Sequence, residues 1–71
     1  MDTFSIYSRQ GANLGIWDAV SETHAVYQMH VDAGYGHVVR YDDMRDRMFF
    51  ANDEYADLCG DVTNFDIERV D

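Results

Sequence analysis

The sequence has no lysine, a single cysteine and no long apolar run, and each absence excludes a class of protein. Cys59 alone cannot form an intramolecular disulfide, and the cysteine and histidines do not have zinc-ligand spacing. No segment approaches the roughly 20 apolar residues that span a bilayer, and the first nine residues lack the basic-then-apolar pattern of a secretion signal. We therefore expect a cytoplasmic protein.

The charge balance is the most informative feature of the composition. The 71 residues, enough for a single domain over 1–71, include fourteen carboxylates against five arginines, for a net charge of −9. A content of 46% hydrophobic residues indicates a folded chain rather than a disordered acidic tail. Such a charge repels nucleic acid and anionic membranes and attracts basic protein surfaces. We expect no direct nucleic-acid or membrane binding.

The first half of the chain predicts a β-hairpin followed by a helix. Thr3–Arg9 alternates between apolar and polar residues, a turn follows, and Leu14–Ala19 predicts a second strand whose facing is ambiguous. Ser21 is a good N-cap, and the helix continues to about Ala33, before Gly34.

This helix has two semi-apolar faces. One is predicted to face the sheet and consists of Ala25, Val26, Met29 and Ala33. The opposite face holds Tyr27 and Val31, with His30 near them, and must meet another helix or a partner.

The second half permits two interpretations. His37–Tyr41 can form a short strand or an extended link. The apolar residues between Asp42 and Cys59 then recur every three or four positions, which predicts an amphipathic helix. In the alternative, Arg47–Ala51 is a strand containing Phe49 and Phe50, and a shorter helix follows.

A closing strand, Asn64–Val70, completes the predicted fold. The fold class is α+β, with the order ββα(β)αβ: a small antiparallel sheet, made of the N-terminal hairpin and the C-terminal strand, with two helices.

Part of the chain resembles a group of short uncharacterised bacterial proteins. The shared pattern is GAxLGxxxA at Gly11–Ala19, a serine at Ser21 and DAGY at Asp32–Tyr35, within residues 4–35. This resemblance implies the hairpin and helix and no active site. In size and acidity the chain is also similar to the phage-encoded anti-CRISPR proteins. This is an analogy of type and assigns no residues. It implies that the protein acts in a bacterial host cell.

Catalytic and metal chemistry are not expected from the sequence. Carboxylates around Cys59 disfavour its thiolate, and His24 and His30, six residues apart on a helix, point about 120° apart. The acidic clusters lack the residue order of a calcium loop. We therefore predict a non-enzymatic protein without a cofactor or metal, whose histidines lie at the surface.

The acidic stripe of the predicted second helix is the candidate binding site. It serves solubility alone, or it occupies an arginine-lined nucleic-acid channel with aromatic anchors. The predicted site residues are Asp42, Asp46, Phe50, Asp53, Glu54, Tyr55, Asp57 and Asp61. The leading hypothesis is an inhibitor that occludes a basic, nucleic-acid-handling protein, most concretely an anti-CRISPR-type protein acting on a CRISPR effector. The alternative is an antitoxin-like or dimeric scaffold protein that pairs through Tyr27, Val31 and the second helix.

Overall fold

The computed structural model describes residues 1–34, 38–51 and 62–70, which form one α-helix and five strands. In chain order the elements are β1 Asp2–Ser8, β2 Asn13–Ala19, α1 Glu22–Asp32, β3 Val38–Asp42, β4 Arg47–Phe50, a 3-10 turn Val62–Asn64 and β5 Phe65–Arg69. The chain is an α+β protein with antiparallel strands, which confirms the predicted class.

Strands β2, β1 and β5 form a three-stranded antiparallel sheet in that order, so the N-terminal hairpin and the C-terminal strand join as predicted. Ile6, at the centre, is fully buried and pairs with Gly15 on one side and Ile67 on the other. The register also resolves the facing of β2. Trp17 lies on the inner face with Ile6, whereas Ile16 is 60% exposed on the other face.

Gly15 is required by the position of the Trp17 ring. Its φ is +138°, and a Cβ at this position would lie 2.6 Å from the Trp17 ring atom Cη2. The indole Nε1–H donates a hydrogen bond to Asp32 at 2.6 Å. The close contact therefore lets the tryptophan connect β2 to the last turn of α1.

Helix α1 begins and ends as predicted. The Ser21 side chain accepts a hydrogen bond from the backbone N–H of His24 at 3.1 Å, which caps the first turn. At the other end, Gly34 adopts a φ of +78°, which glycine tolerates without steric cost.

The buried face of α1 differs from the prediction at two positions. Ala33 is exposed, whereas His30, predicted at the surface, is only 1% exposed. Its imidazole makes edge-to-face contacts with Phe50 and Phe65, with ring centroids 6.4 and 6.1 Å apart. The helical wheel misplaced His30 because the aromatic rings of β4 and β5 extend the core to its side of the helix.

The predicted helix from Asp42 is wrong over residues 42–50, where β3 and β4 form an antiparallel hairpin. The alternative strand over Arg47–Ala51 is the correct interpretation, because β4 spans Arg47–Phe50. The helical spacing gave a wrong prediction because it assigned Met44 and Met48 to one apolar face. Met44 is 93% exposed in the turn, whereas Met48 is buried. Residues 52–59 of the predicted helix lie outside the described residues.

The core lies where α1 meets both the sheet and the hairpin. Its buried apolar residues are Phe4, Ile6 and Ala19 from the sheet, Ala25, Val26 and Met29 from the helix, and Met48 from the hairpin. The three-stranded sheet and the β3–β4 hairpin are two separate sheets, so each has an outer face of its own.

Candidate functional site

Three of the predicted site residues are described, and the hairpin holds all three. Asp42 ends β3, Asp46 is in the turn and Phe50 is in β4. The helical spacing that placed Asp42 and Asp46 on one face is therefore wrong. The other predicted residues, Asp53, Glu54, Tyr55, Asp57 and Asp61, lie outside the described residues, and so do His37 and Cys59.

Asp46 connects the hairpin turn to the start of the helix. Its Oδ1 accepts hydrogen bonds from the Ser21 hydroxyl and from the Tyr41 hydroxyl, the latter at 2.5 Å. Its φ of +52° is a left-handed conformation that aspartate adopts more readily than most residues. Both bonds direct the carboxylate toward side chains of this chain, so Asp46 holds the turn in place although the turn is exposed.

The same network shifts two titrations in opposite directions. The hydrogen bond from Ser21, followed by that from Tyr41, lowers the pKa of Asp46 below its ordinary value. Burial, followed by the bond to the Asp46 carboxylate, raises the pKa of Tyr41 above its ordinary value. Ionised Asp46 and neutral Tyr41 are therefore the states that hold the turn against the helix.

Asp42 and Phe50 also have internal contacts. Asp42 accepts a hydrogen bond from the Met44 backbone N–H at 3.1 Å and lies 3.8 Å from Arg45 Nε. Phe50 is half-buried against the core instead of lying exposed among carboxylates. Its predicted role as an exposed anchor conflicts with this packing, which follows from the alternation of β4 that buries Met48 and Phe50.

A stack of rings covers part of the second helix face. The Tyr41 ring lies 4.5 Å from that of His24 and 5.7 Å from that of Tyr27, between centroids. The hairpin therefore takes the place of the predicted second helix against Tyr27. Val31 is left 52% exposed.

Sequence reasoning missed the outer face of the three-stranded sheet, here called the open sheet face. Residues paired across antiparallel strands share a face, and the pairs Thr3–Asp18, Ser5–Ile16, Ser5–Glu68 and Tyr7–Asp66 define this one. Val70 continues the alternation of β5 and donates its amide to the Thr3 carbonyl. The face therefore consists of Thr3, Ser5, Tyr7, Asn13, Ile16, Asp18, Asp66, Glu68 and Val70, of which Ser5 is buried.

The open sheet face combines exposed apolar groups with carboxylates. Ile16 and Val70 are 60% and 47% exposed, and Asp18, Asp66 and Glu68 are exposed on the two outer strands. None of these nine described positions holds a basic residue. The sequence signal was the alternation of Asp66 and Glu68 with inward Phe65 and Ile67. The sequence did not show that Ile16 and Asp18 lie on the same face of the sheet as Asp66 and Glu68.

Other types of site find no support within the described ranges. Residues 1–34, 38–51 and 62–70 contain no group of three or more His, Cys, Asp or Glu side chains that could hold a metal ion. In the same ranges, no helix has the length and apolar character to cross a membrane.

The fold and the open sheet face define an acidic α+β protein with a partly apolar sheet surface. No protein-family model matches the chain, and no curated protein or solved structure shows significant similarity to it.

Proposed function

We propose that this chain is a non-enzymatic binding protein whose open sheet face occupies a basic surface of a protein that handles nucleic acid. The observation that supports this proposal is the juxtaposition of exposed Ile16 and Val70 with three carboxylates on one face that has no cation. Apolar groups supply binding energy at an interface, while charges around them steer association and select the partner. The mechanism is occlusion: the bound chain blocks the nucleic-acid site.

The most concrete form of this proposal is an anti-CRISPR-type inhibitor of a CRISPR effector. It is supported by the size of 71 residues, the net charge of −9 and the analogy of type with the anti-CRISPR proteins. The site differs from the one the sequence predicted. We assign the acidic array to the sheet, because Asp42 is bonded within the hairpin and Asp46 is bonded to Ser21 and Tyr41. The predicted site residues outside the described ranges stay a prediction.

The test is competition for nucleic acid. Purified CRISPR effector complexes are mixed with labelled target DNA and increasing amounts of the chain, and DNA binding is followed by gel shift. The chain should displace DNA, and raising the salt from about 50 to 500 mM should weaken its binding to the effector because charges are screened. Binding to the effector that resists salt would contradict the electrostatic mechanism, whereas salt-resistant self-association without effector binding would favour the dimeric scaffold.

A matched pair of variants separates the face from net charge. Asp66→Lys with Glu68→Lys changes the open sheet face, whereas Glu22→Lys with Asp43→Lys makes the same change in net charge at exposed positions elsewhere. Only the first pair should abolish inhibition, with circular dichroism unchanged in both. Equal loss in the two double variants would show that overall charge, not this face, is responsible.

A further inference from the structure

The outer face of the β3–β4 hairpin carries a cluster of two arginines on one aromatic ring. Arg40 pairs directly with Phe49 across the strands, and Arg47 precedes Phe49 by two residues, so the three side chains share a face. The guanidinium carbon Cζ lies 4.0 Å from the Phe49 centroid in Arg40 and 5.4 Å in Arg47. We call these three residues the arginine cluster.

Among residues 1–34, 38–51 and 62–70, these two guanidinium groups have no oxygen partner of the kind that the other arginines have. Arg9 donates to the Thr63 carbonyl, Arg45 lies near Asp42 and Arg69 pairs with Asp2. Within the described residues, neither arginine of the cluster makes an ion pair. This is notable in a chain with fourteen carboxylates. Asp42 is opposite Arg47 in the hairpin register, but its carboxylate contacts Arg45 and the Met44 amide instead.

The hairpin is also locally neutral in an acidic chain. Residues 40–47 hold three of the five arginines and three of the fourteen carboxylates, so the rest of the chain carries the whole net charge of −9. Asp46 is directed toward Ser21 and Tyr41. At physiological salt, charges farther than about 8 Å are largely screened. An anion at the outer face of the hairpin therefore meets the two guanidinium groups beside a single carboxylate, Asp42, which already contacts Arg45 and the Met44 amide.

We propose that the arginine cluster is an oxyanion site that binds a carboxylate side chain of the partner protein. A guanidinium stacked on an aromatic ring keeps its N–H edges free, in a planar fork that matches a carboxylate bidentately. A single carboxylate adds little charge, whereas nucleic acid would bring many phosphates toward an acidic molecule and be repelled. The partner thus presents an acidic side chain to the hairpin, apart from the basic surface that faces the sheet.

The oxyanion site can be tested on the full chain without its partner. The arginine Nε–Hε signals are followed by two-dimensional NMR during titration with sodium acetate, with sodium chloride at equal ionic strength as reference. Acetate should shift the Arg40 and Arg47 signals saturably, and Phe49→Leu should weaken this binding several-fold because the stacking ring is lost. Shifts no larger than those with chloride would overturn the site. Inorganic phosphate binding more than about tenfold tighter than acetate would overturn the carboxylate assignment.

The role of the site in the complex rests on the proposed function and has its own readout. Arg40→Gln with Arg47→Gln should weaken binding to the effector about tenfold or more, as expected for the loss of a charge-assisted pair. Arg9→Gln is the control, because Arg9 donates to the Thr63 carbonyl and lies outside the hairpin. Acetate binding without any effector binding would refute the proposed function and leave the oxyanion site intact. Effector binding that is insensitive to the double variant would refute the partner carboxylate alone.

Discussion

The three-stranded sheet and the β3–β4 hairpin are both antiparallel, yet they are attached to α1 by different kinds of contact. The sheet contributes Phe4, Ile6 and Ala19 to the core, all buried. The hairpin contributes Met48 and the half-buried Phe50. It is also attached by the ring stack of Tyr41 on His24 and by the bond that Ser21 donates to Asp46. The sheet is therefore attached mainly by buried apolar contacts, whereas the attachment of the hairpin also includes the charge of one carboxylate, Asp46.

The largest expected effect concerns the sheet. Ile6→Ala should lower the free energy of unfolding by about 2–5 kcal/mol, because Ile6 is fully buried between two strands and the helix. Ile16→Ala on the neighbouring strand is the control and should change stability by no more than about 0.5 kcal/mol, since Ile16 is 60% exposed. Urea unfolding followed by Trp17 fluorescence measures both. Equal effects would contradict the assignment of the two faces of the sheet.

That assignment also shows what the sequence could and could not predict. Local signals gave the first hairpin, the cap at Ser21, the helix end at Gly34 and the closing strand. The open sheet face was not predicted, because it joins Asp18 and Glu68 through strand pairings that are distant in the sequence. Two short strands around a four-residue turn placed Met44 and Met48 at helical spacing by coincidence, so the period alone could not identify the hairpin.

The second prediction concerns the hairpin attachment. Asp46→Asn keeps a side chain that tolerates positive φ but removes the charge, and Ser21→Ala removes one donor and the helix cap. Each should cost about 1 kcal/mol in unfolding free energy, and the double variant should show a coupling of about 0.5–1 kcal/mol. Hydrogen exchange should increase in β3 and β4 more than in β1. Strictly additive losses would show that the Ser21–Asp46 bond contributes no stability.

A smaller effect should appear at acidic pH. The pKa of Asp46 is lower in the folded chain than in the unfolded chain. The stability that ionised Asp46 contributes is therefore complete above the unfolded pKa of about 4 and is lost as the pH falls through the folded pKa. The stability difference between the wild-type chain and Asp46→Asn should therefore shrink between neutral pH and about pH 3. Taking this difference removes the effect of the other carboxylates, which both chains share. A difference that stays constant over this range would contradict the pKa shift.

The smallest expected effect lies at the alkaline end and involves the other member of the same hydrogen bond. The pKa of Tyr41 is raised by burial and then by its bond to Asp46. The stability that neutral Tyr41 contributes is therefore complete below the unfolded pKa of about 10 and is lost as the pH rises through the folded pKa. Asp46→Asn should lower the midpoint of Tyr41 ionisation, measured by tyrosinate absorbance against a Tyr41→Phe reference. It should not restore an ordinary pKa, because burial is the larger cause and the hairpin still covers the ring. A midpoint unchanged by Asp46→Asn would mean that burial alone raises the pKa of Tyr41. The Asp46 carboxylate would then stabilise the hairpin only through its bond to Ser21.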